Sequence, residues 1–520
     1  MPDRSTILSA VKMTGRVDGW KLGVINAFTA REYARIDQSG QRLSEEVQPF
    51  SNFGVVRALR EFKEGYRGLG FLATSTIRDL RSDSLKSTLA DKAFTLAVDG
   101  WSFLDKKKDW IVSAWLGGTY VSGTPGMIDR LQRSSLHYYQ RPDASHVSLK
   151  DGATSLSGWG GRLQINKQRG NTIFNFALGA LSPGFDPNEL GYQPGGSDII
   201  NVVAVLGQIW PHPGKVFRSV ILAGGPFRNY DFGGNKTWDG VLALLQGQLL
   251  NYWNFNSLVA YNPKTVTHEL TRGGPLAQIP YGYEVDLSIS TDARKPVVFG
   301  LDSSTYQRPT IDSLNWNAGF SIRWKPRSNF SFSAGPGYYF RQTEYQWIRR
   351  VNDPLMAETY GARYVFGRLE QKVLSAEIRL NWIFTPKLSL QAYLQPYLAV
   401  GVYNNFKELA RPKSLSYNIY GENGSTVGYD NGIYTIDPDG GGPADAFGFY
   451  NPDFNFKSMR GTVVLRWEYH PGSVLFLVWT QNRTDFANPG DLQLGRDLGD
   501  LFTAPGDNIF LFKLSYRWNM

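Results

Sequence analysis

Five histidines are the first place to look for chemistry in these 520 residues: His137, His146, His212, His268 and His470. No two stand four apart as in His-Glu-x-x-His, the spacing that turns two imidazoles toward one zinc ion. His212 lies in Pro211-His212-Pro213-Gly214 and His470 precedes Pro471-Gly472. Pro and Gly punctuate turns, so both histidines read as solvated turn residues. His137 and His146 share a long polar stretch with Ser134 and Ser135. That is the raw material of a Ser–His dyad, but nothing in the spacing sets a base against a nucleophile. No Gly-x-Ser-x-Gly elbow and no phosphate-binding loop occurs. The absence of Cys excludes thiolate catalysis, Cys-ligated zinc, iron–sulfur clusters and disulfides. Asp437-Pro438-Asp439-Gly440 with Asp445 has the oxygen density of a calcium loop without the EF-hand spacing, and reads as an acidic turn. The sequence thus assigns no catalytic residue, no metal site and no cofactor, and leans away from an enzyme.

A second set of charges is more informative. Arg323, Arg379, Arg466, Lys513 and Arg517, with Glu377 and Glu468, each stand between apolar residues. Ala318, Phe320, Ile322 and Trp324 alternate with Gly319, Ser321 and Arg323. Ile378, Leu380, Trp382 and Phe384 alternate with Glu377, Arg379 and Asn381. Leu465, Trp467 and Tyr469 alternate with Arg466, Glu468 and His470. Period-two alternation sends the two sets to opposite faces of a β-strand. In a transmembrane barrel a charge facing lipid at the midplane costs about 2–4 kcal/mol, so these seven residues are expected to line the lumen. There they brace the wall as ion-pair rungs, or attract anions to a pore.

The elements that carry these charges repeat along the chain. The C-terminal stretch sets Phe510, Phe512, Leu514, Tyr516 and Trp518 against Leu511, Lys513, Ser515 and Arg517. Ten tight turns are expected, near Asp18-Gly19, Lys63-Glu64-Gly65, 105–109, 168–171, 211–214, 251–254, 294–296, 326–329, 385–387 and Pro471-Gly472. Between them lie longer Gly- and Pro-rich connections, the largest at 122–157 and 411–458. Short turns at one end and long loops at the other mark an outer-membrane barrel. Ten hairpins and a closing strand make about 21 strands. An odd number of antiparallel strands cannot close antiparallel, so an even total of about 22 requires one more strand before Met1.

Composition agrees. The chain has 15 Trp, 27 Tyr and 31 Phe, enough for two aromatic belts. Mean hydropathy is −0.31, and no run of about 18 apolar residues exists to cross a membrane as a helix. The net charge of +9 is spread among strand-like segments and not gathered in a tract, which argues against nucleic acid. No basic-then-apolar leader opens the chain. Within the long connections, Met127–Gln140 shows helical spacing, and Asp186–Tyr192 reads as a helical turn. Arg130, Arg133, His137, Tyr138, Arg141 and Asp143 belong to this expected mouth or plug segment. In 411–458, Tyr417, Tyr420, Tyr429, Tyr434, Phe447, Phe449 and Tyr450 are expected to pack the loop onto itself over the mouth, the alternative being exposed rings that stack on sugar or partner surfaces.

Several of these landmarks carry a resemblance. They are Lys12-Met13-Thr14-Gly15-Arg16 with Asn26-Ala27, Arg130 to Asp143, Asn188 to Tyr192, Gln395-Pro396-Tyr397 through Asn405 to Leu409, Asn451 to Phe456, and Arg466 to Ser473 with Val478 to Gln481. In this order the chain resembles a family of outer-membrane barrel domains of unknown function, common in Bacteroidetes-type bacteria, in which the barrel follows a domain like the family 9 carbohydrate-binding modules. The resemblance implies fold and location more than activity. That upstream domain is not in this sequence, so sugar binding does not carry over, and the chain ends Trp-Asn-Met instead of on a terminal aromatic.

The sequence reading is therefore an all-β, large antiparallel transmembrane barrel of about 20–22 strands, one domain over 1–520, in the outer membrane of a Gram-negative cell. Its role is expected to be an anchor, conduit or partner platform, linked through the upstream domain to carbohydrate binding or transport. Its expected partners are outer-membrane lipid and lipopolysaccharide, the barrel-assembly machinery, and a glycan or envelope protein. The alternatives are a membrane-embedded hydrolase with its site in the long loops, and a passive, porin-like diffusion pore.

Overall fold

In the computed structural model, residues 5–38 and 40–518 are described. The Asn519-Met520 end, read above as a departure from a terminal aromatic, lies outside them. The chain is all-β, and 22 strands belong to one large antiparallel sheet. One of the 22, Tyr417–Ile419, is a three-residue appendage paired to the end of Leu388–Leu409. The remaining 21 are the strands expected from the hairpin count. No described helix is long and apolar enough to cross a membrane, which says nothing about crossing by strands.

All ten expected tight turns are present, each of two to six residues. At Asp18-Gly19 both residues are left-handed, with φ of +47° and +81°. This is the primed turn whose twist matches the flanking strands. Connections at the other strand ends are mostly longer and reach 44 residues at 410–453. They shrink to four or five residues only at 231–235 and 309–312.

The chain forms two compact units. The first comprises 1–208, 223–241 and 265–278, and the second 209–222, 242–264 and 279–520. In the second, the register builds one apolar row across eight strands: Val297, Trp324, Phe332, Leu380, Ala392, Val463, Trp479, Phe510. One residue along, the opposite face carries Val298, Arg323, Ser333, Arg379, Tyr393, Thr462, Thr480 and Ile509. The apolar row is not buried: Trp324 is 44% exposed and Phe510 78%. In the first unit, Val56, Ala73, Leu96, Gly118 and Trp159 share one face, while Asp99, Trp115, Arg162, Gly179 and Asn201 form a row on the other.

The outermost strands are edges. Among the described pairings, Ile7–Val17 pairs only with Trp20–Thr29, and Gly506–Ser515 only with Ser473–Asp485. A large antiparallel sheet is what the chain forms, and closure into a barrel is not seen.

Among the described residues, three α-helices decorate the connections. α1 (Asp83–Lys86) is one turn. α2 (Pro125–Arg133) starts at Thr124, whose side chain accepts a bond from the Met127 N–H, with Pro125 in the first turn. Both features suit a helix start. The expected helix over Met127–Gln140 is thus shorter and begins earlier, because Ser134 is extended and ends it. α3 (Leu494–Thr503) buries Leu501 against Leu398 and Met459. The register puts those two partners on the apolar face, with Ala392 and Val463. Asp186–Tyr192 makes one turn, closed by the Gly191 N–H on the Pro187 carbonyl.

Candidate functional site

In the first unit the polar sheet face turns apolar in its last row before the long connections, at Ala93, Val121 and Leu156. α2 lands there. Met127 and Ile128 pack with Ala90, Ala93 and Val121, and Tyr139 and Val147 pack with Leu156. The 182–186 stretch crosses the same face at Gly158, where a Cβ would strike the backbone of Gly184 and Phe185. The Asp186 N–H then bonds Thr119 Oγ1 at 2.9 Å. The first long connection therefore folds onto the polar face.

This packing draws three of the five histidines into one buried polar node. His137 Nδ1 lies 2.8 Å from the Pro183 carbonyl and 2.9 Å from Ser197 Oγ, and its Nε2 lies 3.2 Å from Asp186 Oδ2. Asp198, held left-handed at φ +65°, receives Arg141 Nη2 at 2.6 Å and His146 Nε2 at 2.8 Å on one oxygen. Its other oxygen receives the Phe232 N–H at 2.9 Å. Arg141 also donates to the Tyr138 carbonyl and reaches His268 Nδ1 at 3.4 Å. Asp143 accepts the Leu276 N–H at 2.7 Å. Five sequence-distant stretches are thus tied together through side chains.

The electrostatics follow from burial and pairing. Burial alone would raise the Asp198 carboxyl, but His146, the Phe232 N–H and Arg141 outweigh it and hold the group below the usual carboxylate range. Asp186 is likewise lowered, with burial outweighed by His137 and Asn188. Burial, helped by the Arg141 charge, pushes His268 down to about 4. Burial lifts Tyr139 to about 12.

Ser197, His137 and Asp186 have the composition of a hydrolytic triad, but not its access. The His137 side chain is 0% exposed and that of Asp186 is 7%. The Ser197 hydroxyl lies 2.6 Å and 2.9 Å from the Pro183 and Leu136 carbonyls, so its proton is committed to the backbone. The dyad weighed from the sequence is not formed with Ser134 or Ser135, because Ser197 from a different connection takes their place at His137. A cation site at His146, Asp198 and Asp231 fits poorly. The Arg141 guanidinium already sits on the Asp198 oxygen, and Asp231 accepts from the Asn235 backbone and side chain. The node reads as a brace.

The expected mouth segment divides accordingly. His137 and Arg141 are buried in the node, and Tyr138 and Asp143 are half-buried beside it. Arg130 and Arg133 are exposed on α2, with Arg133 paired to Asp129.

The second unit has a matching brace. Arg363 donates to Asp353 at 2.7 Å and to both oxygens of Glu408 at 2.7 and 2.8 Å, and Glu408 accepts from Tyr420 and Asn418. Around it Val365, Phe406, Tyr420 and Ile436 form a core against which Tyr434, Phe447 and Phe449 pack. The aromatics of 411–458 do fold the loop onto itself. Tyr429 and Tyr450 stay exposed. The acidic turn spends its carboxylates on its own backbone: Asp437 accepts from Gly440, and Asp439 from Gly442 and Ala444.

Six of the seven charges expected in a lumen occupy one face: register puts Arg323, Glu377, Arg379, Arg466, Glu468 and Lys513 together opposite the apolar row. Arg517 lies past the end of its strand, where its N–H bonds Ser473 Oγ at 2.9 Å. Arg379 pairs with Glu377 at 2.6 Å and Arg466 with Glu468 at 3.1 Å. Arg323 reaches the Ala293 carbonyl.

The model of one family, a domain of unknown function (DUF5916), matches residues 1–93 and 122–518. The chain belongs to the DUF5916 family. The unmatched stretch between these segments falls within one hairpin, Lys92–Phe103 with Trp110–Ser122. A whole hairpin can be added without reversing the strands that follow. No curated protein matches the chain.

Proposed function

We propose that this DUF5916 chain is an outer-membrane β-barrel, an anchor, conduit or partner platform whose long-connection end is braced by folded segments. The observation that carries the proposal is the eight-strand apolar row, none of it buried, backed by a polar row with arginines. A water-soluble sheet buries such a face against a second layer. Lipid is the solvent in which it can stay uncovered. The edges at Ile7–Val17 and Gly506–Ser515 must then be covered in the bilayer, since unpaired backbone groups cost several kcal/mol each in hydrocarbon. The two braces favour a rigid platform over a loop-borne hydrolase, since the Ser–His contact is sealed from solvent.

The test is insertion. The purified chain is refolded into lipid vesicles and its protection from added protease is measured, with single-channel conductance recorded on the same sample. Protection of the strand region with little conductance supports a braced platform. Protection with steady open conductance supports the pore. Full digestion in the presence of vesicles overturns the membrane reading.

A further inference from the structure

The ten short turns, each with two flanking residues on either side, contain fifteen Lys or Arg and six Asp or Glu. Their net charge of +9 equals that of the entire chain, leaving forty of each sign elsewhere. Each unit shows the same sign by itself. The first has nine cations and five acids at its four short turns, and the second has six cations and one acid at its six. In the second unit that single acid, Asp292, is already paired to Arg294 at 2.7 Å.

These cations are placed, not scattered. Arg218 and Arg294 lie 4.1 and 3.2 Å from the ring centroid of Tyr252, itself held left-handed at φ +66° in its turn. Lys215 and Lys295 flank them in sequence. A belt of exposed indoles, Trp210, Trp253, Trp324, Trp382 and Trp467, lies within four residues of a short turn. Indoles of this kind settle at the level of lipid headgroups, which puts the turn cations at and just beyond that level. Basic groups there attract anionic lipid, and the attraction is screened by salt.

We propose that the short-turn edge is a docking surface for anionic phospholipid headgroups in the leaflet it faces. The proposal rests on the membrane reading above and adds a lipid preference to it.

The full chain, reconstituted in vesicles, reports this through quenching of its tryptophans by brominated lipid. Brominated phosphatidylglycerol is expected to associate about threefold or more over brominated phosphatidylcholine at low salt, with the preference falling toward one in 0.5 M NaCl. The combined variant Lys215→Gln, Arg218→Gln, Lys295→Gln should lose most of the preference. The pair Arg130→Gln, Arg133→Gln, at the opposite strand ends, should keep it. Equal quenching by the two lipids overturns the proposal while leaving the membrane reading intact. So does equal loss in the two variants. Abolition of the preference by millimolar inorganic phosphate at constant ionic strength would assign the cations to a free-phosphate site and overturn the lipid assignment. No quenching by either lipid removes both.

Discussion

Asp198 is held by Arg141, His146 and the Phe232 N–H, with its side chain and that of Arg141 each 1% exposed. Removing one partner of such a pair strands the other, at a cost of about 3–5 kcal/mol. Arg141→Ala is therefore expected to open the 132–147 and 182–198 stretches to limited proteolysis, while Arg133→Ala, which loses only an exposed helical pair with Asp129, should stay within about 0.5 kcal/mol of the parent. The same node should respond to pH. His268 sits near 4 when folded against an ordinary 6.5, so the opened chain binds the extra proton between those values. Stability is full above 6.5 and declines as pH falls toward 4. The lowered carboxyls of Asp186 and Asp198 act in the same direction, losing their contribution below the ordinary carboxylate value. Protease protection of these stretches should fall as pH drops from 6.5 to 4, and His268→Asn should remove the upper part of that fall.

At the scale of elements, the strands and turns were legible because their information is local. Alternation over five or six residues and a Pro or Gly at the bend suffice to read Ser313–Arg327 or the Pro471-Gly472 hairpin. The polar node was not legible, because its partners come from elsewhere: His137 meets Asp186 and Ser197 across 49 and 60 residues, whereas Ser134 and Ser135 are near only in sequence. α3 was missed for a similar reason, since Leu501 finds its core at Leu398 and Met459. Two predictions belong here. Gly158→Ala should displace the 182–186 crossing, because the added methyl meets backbone that cannot yield as a side chain would, and it should raise protease sensitivity at the node without unfolding the sheet. Phe512→Arg should impair insertion, by about 2–4 kcal/mol near the midplane, and Trp382→Arg in the headgroup-level belt by only about 0–1 kcal/mol, while Asn381→Arg and Ser515→Arg on the polar face should insert normally. Heat-modifiable gel mobility after refolding into vesicles measures both outcomes.

At the scale of the molecule, the proposed membrane role requires one sheet face to meet lipid and the other not to. The chain contains no Cys, so single cysteines can be introduced without background. Spin labels at Leu380→Cys, Ala392→Cys and Val463→Cys would report the apolar row, and labels at Arg379→Cys, Tyr393→Cys and Thr462→Cys the polar row one residue away. In reconstituted vesicles, accessibility to dissolved oxygen and to a water-soluble nickel chelate is measured at all six. The expected result is high oxygen and low nickel accessibility at the first three, with lower oxygen accessibility at the other three. Equal access of the nickel chelate to both rows, or no period of two between them, would contradict a lipid-facing sheet.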